Sequence, residues 1–206
     1  MKTKNKIINT AIKLFNKQGT NLVSTNHIAK AMGISPGNLY YHFSSKNDII
    51  RAISRQFNSE LVSIFQFQLD DVSDFSERFT TLFHSFFKVQ KSYQFLFFEG
   101  VRLVKHDKEL QNGYSELKGL IEESYFKLLS NLVKIKLLKK DSLLIVDELL
   151  EKQWIIMWYW ASYSSIEKKV FDDERIKKGI VLSLSIIKPQ LTAIGKITFD
   201  KTLQLI

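Results

Sequence analysis

Apolar side chains along this chain recur at helical rather than alternating spacing. Ile8, Ala11, Ile12 and Phe15 share one face of a first helix over about residues 4–18, with lysines opposite and Gly19 as the stop. Ile28, Ala29 and Met32 mark a short second helix over about 25–32, with Ser24 as its cap. Gly33 then predicts a tight turn, Ile34 returns to the core, and a third short helix spans about 36–43. A long fourth helix begins near Lys46 and carries the stripe Ile49, Ile50, Ile53, Phe57, Leu61 and Ile64.

The same period continues with larger side chains. Phe75, Phe79, Leu82, Phe83, Phe86 and Phe87 define a fifth helix, with Asp74 and Glu77 resembling a capping box at its start. "SYQFLFFEGVRLVKH" predicts a sixth helix and "YSELKGLIEESYFKLLSNLVKIKLL" a seventh. An eighth covers about 142–166 and is apolar nearly all round, so every side of it calls for a cover. A ninth runs from Asp172 to about Ile194, kinked or ended by Pro189. The tail "KITFDKTLQLI" has mixed character and yields no clear element. With two prolines, eight glycines and no alternating strand pattern, the expected fold is all-α with about nine helices.

Composition narrows the chemistry. A 45% hydrophobic chain of 206 residues has material for a substantial core. Without cysteine it has no disulfide framework and no thiolate chemistry. The basic start is interrupted by Asn9, Thr10 and Lys13, which makes a poor secretory core. The most apolar run, "WIIMWYWASYSSI", falls short of the ~20 residues of a membrane span. A soluble, cytoplasmic protein is expected. Charge is concentrated at one end: residues 1–56 carry nine basic side chains against Asp48 alone, while the remainder is nearly balanced. A basic head of this kind fits a polyanion, either nucleic acid or an anionic membrane surface.

The stretch "GISPGNLYYHFSSK" sharpens the choice. Helix, glycine turn and helix from Ser24 to Phe43 make a helix-turn-helix unit. Ser35 caps the second of these helices, and Pro36 sits in the first turn, where its missing N–H costs nothing. Gly37 lets the backbone approach another surface. Leu39 and Phe43 face inward, leaving Asn38, Tyr40, Tyr41 and His42 outward. Tyrosine and histidine suit phosphate oxygens, and asparagine can pair with adenine in the major groove. Lys46 opposes the dipole of the helix it begins, whereas a phosphate there would favour it. The competing reading makes Tyr40 or Tyr41 half-buried core residues.

Thr25, Ile28, Ala29, Gly33, Gly37, Leu39, Tyr40, His42, Phe43 and Lys46 together resemble the N-terminal signature of the tetracycline-repressor (TetR) family of bacterial transcriptional regulators. The match covers about residues 4–53, with Asp48 where glutamate is common. The resemblance implies a homodimer with a three-helix DNA-binding head over 1–46 and a ligand-binding and dimerisation body over 47–206. By position, Thr25 and Asn26 contact backbone or bases. Ser35, Gly37, Asn38 and Tyr41 face bases with Pro36 beside them, while Tyr40, His42 and Lys46 hold phosphates. The implied partners are a palindromic double-stranded operator and a small-molecule effector. No cofactor, metal or membrane partner is expected.

In the body, the eighth helix and the ninth, with its stripe Ile176, Ile180, Leu184, Ile187 and Leu191, are expected to pair with their copies across a two-fold axis. Gly179 and Ser183 would admit a neighbouring backbone there. Between the fourth and eighth helices, Phe83, Phe87, Phe98, Tyr125, Trp154 and Trp158 are candidates to line an effector pocket, with Arg102 or Glu99 as polar anchors. An aromatic stripe is also ordinary core, and Glu99 with Arg102 an ordinary surface pair.

Enzymatic function finds no support. No glycine-rich phosphate loop or nucleophile elbow occurs, and His27, His42, His84 and His106 lack metal-ligand spacing. A ligand-responsive activator, or a helical protein of anionic membrane surfaces, are the alternatives to a repressor.

Overall fold

The structure is a computed structural model that describes residues 2–66, 75–166 and 172–204. Ten α-helices account for most of these: α1 Lys2–Gln18, α2 Thr25–Met32, α3 Pro36–His42, α4 Lys46–Phe65, α5 Phe75–Ser92, α6 Gln94–Lys105, α7 Lys108–Lys134, α8 Val146–Ser165, α9 Asp173–Ile187 and α10 Ala193–Gln204. Short 3-10 segments at Lys140–Ile145 and Lys188–Gln190 precede α8 and follow α9. Among the described residues no strand forms, and one antiparallel bridge pairs Leu138 with Leu191.

Two elements depart from the periodicity. α7 starts six residues before the apolar pattern does, because the Asp107 carboxylate accepts from the N–H groups of Glu109 (3.0 Å) and Leu110 (3.1 Å). The mixed tail forms α10, which buries Phe199 and Thr202. Gly195 opens α10 against the chain before the 3-10 turn: a Cβ there would meet the Leu137 carbonyl oxygen at 2.0 Å. Pro189 ends α9 through a 3-10 turn. The capping box expected from Asp74 and Glu77 falls on Asp74, which lies outside the described residues.

The chain divides into two compact units. The first comprises Met1–Glu60 and Ser92–Glu116, so α6 and the start of α7 join the four N-terminal helices. Its core holds Ile7, Ala11, Phe15, Ile28, Leu39, Ile49, Ile53 and Phe57, with Phe95 and Phe97 from α6. The Phe15 and Phe95 rings lie 5.2 Å apart, and Phe57 meets Tyr93 and Phe97 edge-on.

The second unit comprises Leu61–Lys91 and Leu117–Ile206. Along α5, Phe75 stacks on Phe79, Phe79 meets Phe83 edge-on, and Phe86 meets Phe65. α8 and α9 are its most closely associated helices. The Trp160 indole donates to the Arg175 carbonyl at 2.8 Å. A Cβ on Gly179 would stand 2.5 Å from that indole and 3.0 Å from Phe87. This glycine therefore makes room for a ring of its own chain rather than for a neighbouring backbone. Ile180, Leu184, Ile187 and Leu191 are likewise buried within the unit.

Candidate nucleic-acid interface and interior cavity

Local chemistry builds the head as the motif requires. Ser24 caps α2 by accepting from the His27 N–H at 3.2 Å, and the His27 imidazole stands 3.3 Å from the Ser24 N–H, where a glutamate ordinarily completes such a box. Gly33 ends α2 at φ 67°, a left-handed conformation that suits glycine. Ser35 caps α3 by accepting from Asn38 N–H at 3.2 Å, with Pro36 opening the helix.

Leu39 and Phe43 seat α3 on the core at 1% and 5% exposure. Tyr41 stands 85% exposed and Tyr40 50%, with Asn38, Ser35, Pro36, Gly37 and Asn26 open and Thr25 and His42 partly covered. The reading of either tyrosine as core is excluded. Tyr40 shares a 3.0 Å hydrogen bond with the Thr25 hydroxyl, tying the outer faces of α3 and α2 together. The Tyr41 and His42 rings meet edge-on at 5.1 Å.

Lys46 has a role that its position in the sequence did not reveal. Its ammonium donates to the Thr20 carbonyl at 2.7 Å, so the cation at the start of α4 has an intramolecular reason to be there. The helix start is itself capped, since Asp48 N–H donates to the Ser45 hydroxyl at 3.1 Å. An ammonium has three donors, and this contact leaves others for a phosphate.

Thr20 is the hub of a network that periodicity could not expose. Glu99 of α6 accepts from the Thr20 N–H and hydroxyl, and Arg102 donates to both Thr20 and Glu99. Burial works against ionisation of Glu99, but the Thr20 hydrogen bonds and the Arg102 charge outweigh it and hold the carboxyl below its ordinary range. On α4, Arg51 pairs with Asp107 and Asp48, and Arg55 with Glu109.

The effector candidates separate. An interior cavity in the second unit is lined by Phe83 and Tyr125 together with Phe65, Phe79, Met157 and residues of α7 and α9. Phe87, Trp154 and Trp158 are absent from its lining. Phe98 and Arg102 belong to the first unit, where Phe98 is exposed and Arg102 and Glu99 are committed to Thr20. Helical spacing placed these residues on plausible faces without specifying which helix each face would meet. Gln153 and Ser183 line the cavity and were missed, because isolated polar residues in apolar helices carry no distinctive spacing.

A helix-turn-helix with a seated, outward-facing second helix, on an all-helical chain, defines a DNA-binding transcriptional regulator. The chain belongs to the tetR family of bacterial regulatory proteins: that family's DNA-binding model matches residues 7–53, and a bacterial transcriptional repressor model matches 56–199. The chain is 27% identical over 189 residues to the negative regulator IcaR of the Staphylococcus aureus (strain Newman) biofilm operon icaADBC, covering 83% of this chain and 94% of that protein. It is 34% identical over 70 residues to the transcriptional regulator UidR of Escherichia coli K12, covering 34% and 36% of the two chains. A TetR-family regulator from Marinobacter aquaeolei VT8 superposes with a TM-score of 0.86 at 25% identity, covering 99% of this chain and 98% of that one. Regulators of this family bind DNA and are not enzymes. Among the described residues, no helix is long and apolar enough to cross a membrane.

Proposed function

We propose that this regulator represses transcription by binding a palindromic operator as a homodimer and is released by a small apolar or aromatic effector. The functional division is a DNA-binding head over 1–46 and an effector and dimerisation body over 47–206. The observation that carries the reading is α3: two buried anchors, Leu39 and Phe43, hold a helix whose Asn38, Tyr40 and Tyr41 all face outward. Asn38 and Tyr41, with Ser35 and Gly37, read bases. Tyr40, His42 and Lys46 hold phosphates, and Thr25 and Asn26 at the start of α2 contact backbone or bases.

A negative regulator among the relatives supports repression over activation. α8 supports the dimer: Ile155, Tyr159 and Tyr163, four residues apart, are exposed along one face, while Leu149, Trp154, Met157 and Trp160 are buried within the unit. Val181 of α9 is exposed as well. Pairing of these helices with their copies would cover that apolar surface and set two heads about one DNA turn, ~34–36 Å, apart. α4 contributes residues to both units, so an effector that favours one placement of α4 shifts the population that fits the operator. It does so only as far as it binds the two states differently.

Selection of bound duplexes from a random pool, followed by a screen for compounds that release them, tests this reading. The expected result is an enriched inverted repeat with half-sites one turn apart and binding that weakens steeply with salt. A pool without enrichment overturns it, and so does preference for anionic vesicles over DNA.

A further inference from the structure

The interior cavity of the second unit has a composition that limits what it can hold. Its walls come from α4, α5, α7, α8 and α9 and are mostly apolar, with Phe65, Phe79, Phe83 and Met157 prominent. No charged side chain lines it. Its volume is only about 30 Å³. The cavity is thus a small slot rather than a roomy chamber.

Two hydroxyls face this slot without satisfaction. Tyr125 Oη and Ser183 Oγ both belong to lining residues, are at least nine-tenths buried, and have no hydrogen-bond partner among the described residues. Buried polar groups are ordinarily paired, so two orphans on one apolar cavity are a specific departure. Burial pushes the Tyr125 phenol up, which keeps it protonated and able to donate. A third polar residue, Gln153, also lines the slot.

The geometry points to an effector that is slim, largely hydrocarbon and uncharged, carrying one carbonyl or hydroxyl oxygen that the Tyr125 and Ser183 hydroxyls bind. A carbonyl oxygen has two lone pairs and can accept from both. A carboxylate or ammonium would enter a low-dielectric space without a counter-charge, which disfavours it strongly. A pure hydrocarbon would fill the slot but leave both hydroxyls unpaired. The inference deepens the proposed function by naming the effector class, and it rests on the reading that the second unit takes a ligand.

A chain-length-matched series tests it: 2-octanone, 1-octanol, octane, octanoate and octylamine, titrated against the full chain by calorimetry and thermal shift. The ketone or alcohol should bind roughly tenfold more tightly than the other three. The double variant Tyr125→Phe with Ser183→Ala should reduce that preference to less than about threefold while leaving octane unaffected. Because it removes only unpaired hydroxyls, the double variant should melt no lower than the parent. Overturning results are a charged probe binding as tightly as the ketone, a preference that survives the double variant, a marked loss of stability in it, or no probe binding below roughly millimolar concentration.

Operator affinity measured in parallel separates the two claims. Probes that bind in the expected order without releasing DNA remove effector control and leave the cavity chemistry standing. Release by a tightly bound carboxylate or amine does the reverse.

Discussion

Glu99, on α6, receives two hydrogen bonds from Thr20, one from its N–H at 2.9 Å and one from its hydroxyl at 2.6 Å. The pair joins positions 79 residues apart and fastens the turn after α1 to α6. Thr20 is itself buried, and its carbonyl takes the Lys46 ammonium, so one residue holds three helices in register. Gly19 precedes it at φ 78°, and a Cβ there would lie 2.9 Å from Glu99 Oε1, leaving little room for any other residue.

Acid should loosen this fastening. Glu99 and Asp48 both titrate below their ordinary values of 4.5 and 3.8 in the folded chain, Asp48 chiefly because Ser44 donates to it. A depressed carboxyl adds stability above its unfolded pKa, and that contribution is lost as pH falls through the folded one. Thermal melts should therefore fall progressively below about pH 4.5. Glu99→Gln should cost about 1–2 kcal/mol at neutral pH and flatten part of the acid limb. An unchanged acid limb in that variant would assign the pH dependence elsewhere.

Lys46→Ala separates two roles. Loss of the bond to Thr20 should cost about 1 kcal/mol of stability. If Lys46 also holds a phosphate, the slope of log affinity against log salt should fall by about 1, equally for all sequences. A stability loss with an unchanged salt slope would make Lys46 a residue of the fold alone.

Asn38→Ala should change which operator is preferred, at about 1–3 kcal/mol of discrimination at one base pair. Asn38 is exposed, so melting should change by less than about 0.5 kcal/mol. Uniform weakening across all sequences would move Asn38 from reading bases to holding backbone.

The exposed face of α8 should control assembly. Tyr159→Glu, with Ile155→Glu as the companion variant, is expected to yield a monomer by light scattering at micromolar concentration and to lower operator affinity, while each chain remains helical. A monomeric parent, or a dimer indifferent to both changes, would place the interface on another surface.

Two glycines should respond oppositely to alanine. Gly195→Ala forces a Cβ onto the Leu137 carbonyl, a backbone atom that cannot rotate away, and should cost about 1–3 kcal/mol or more. Gly119 is exposed in the middle of α7 with nothing within 4 Å of an added Cβ, so Gly119→Ala should stabilise by about 0.5–1 kcal/mol. Chemical denaturation of both variants checks the pair.

What the sequence determined by itself was local: where helices run, where Ser24 and Ser35 cap them, why Gly33 must turn, and which face of α3 is anchored by Leu39 and Phe43. Each depends on residues within one or two turns, so the spacing of a single chain carries them. Tertiary structure decided the partners. Periodicity identifies an apolar face but not the helix it will meet, and hydrogen bonding leaves no periodic trace at all. For that reason Glu99 fastens Thr20, Gly179 accommodates Trp160, and Ser183 lines a cavity that Phe98 does not.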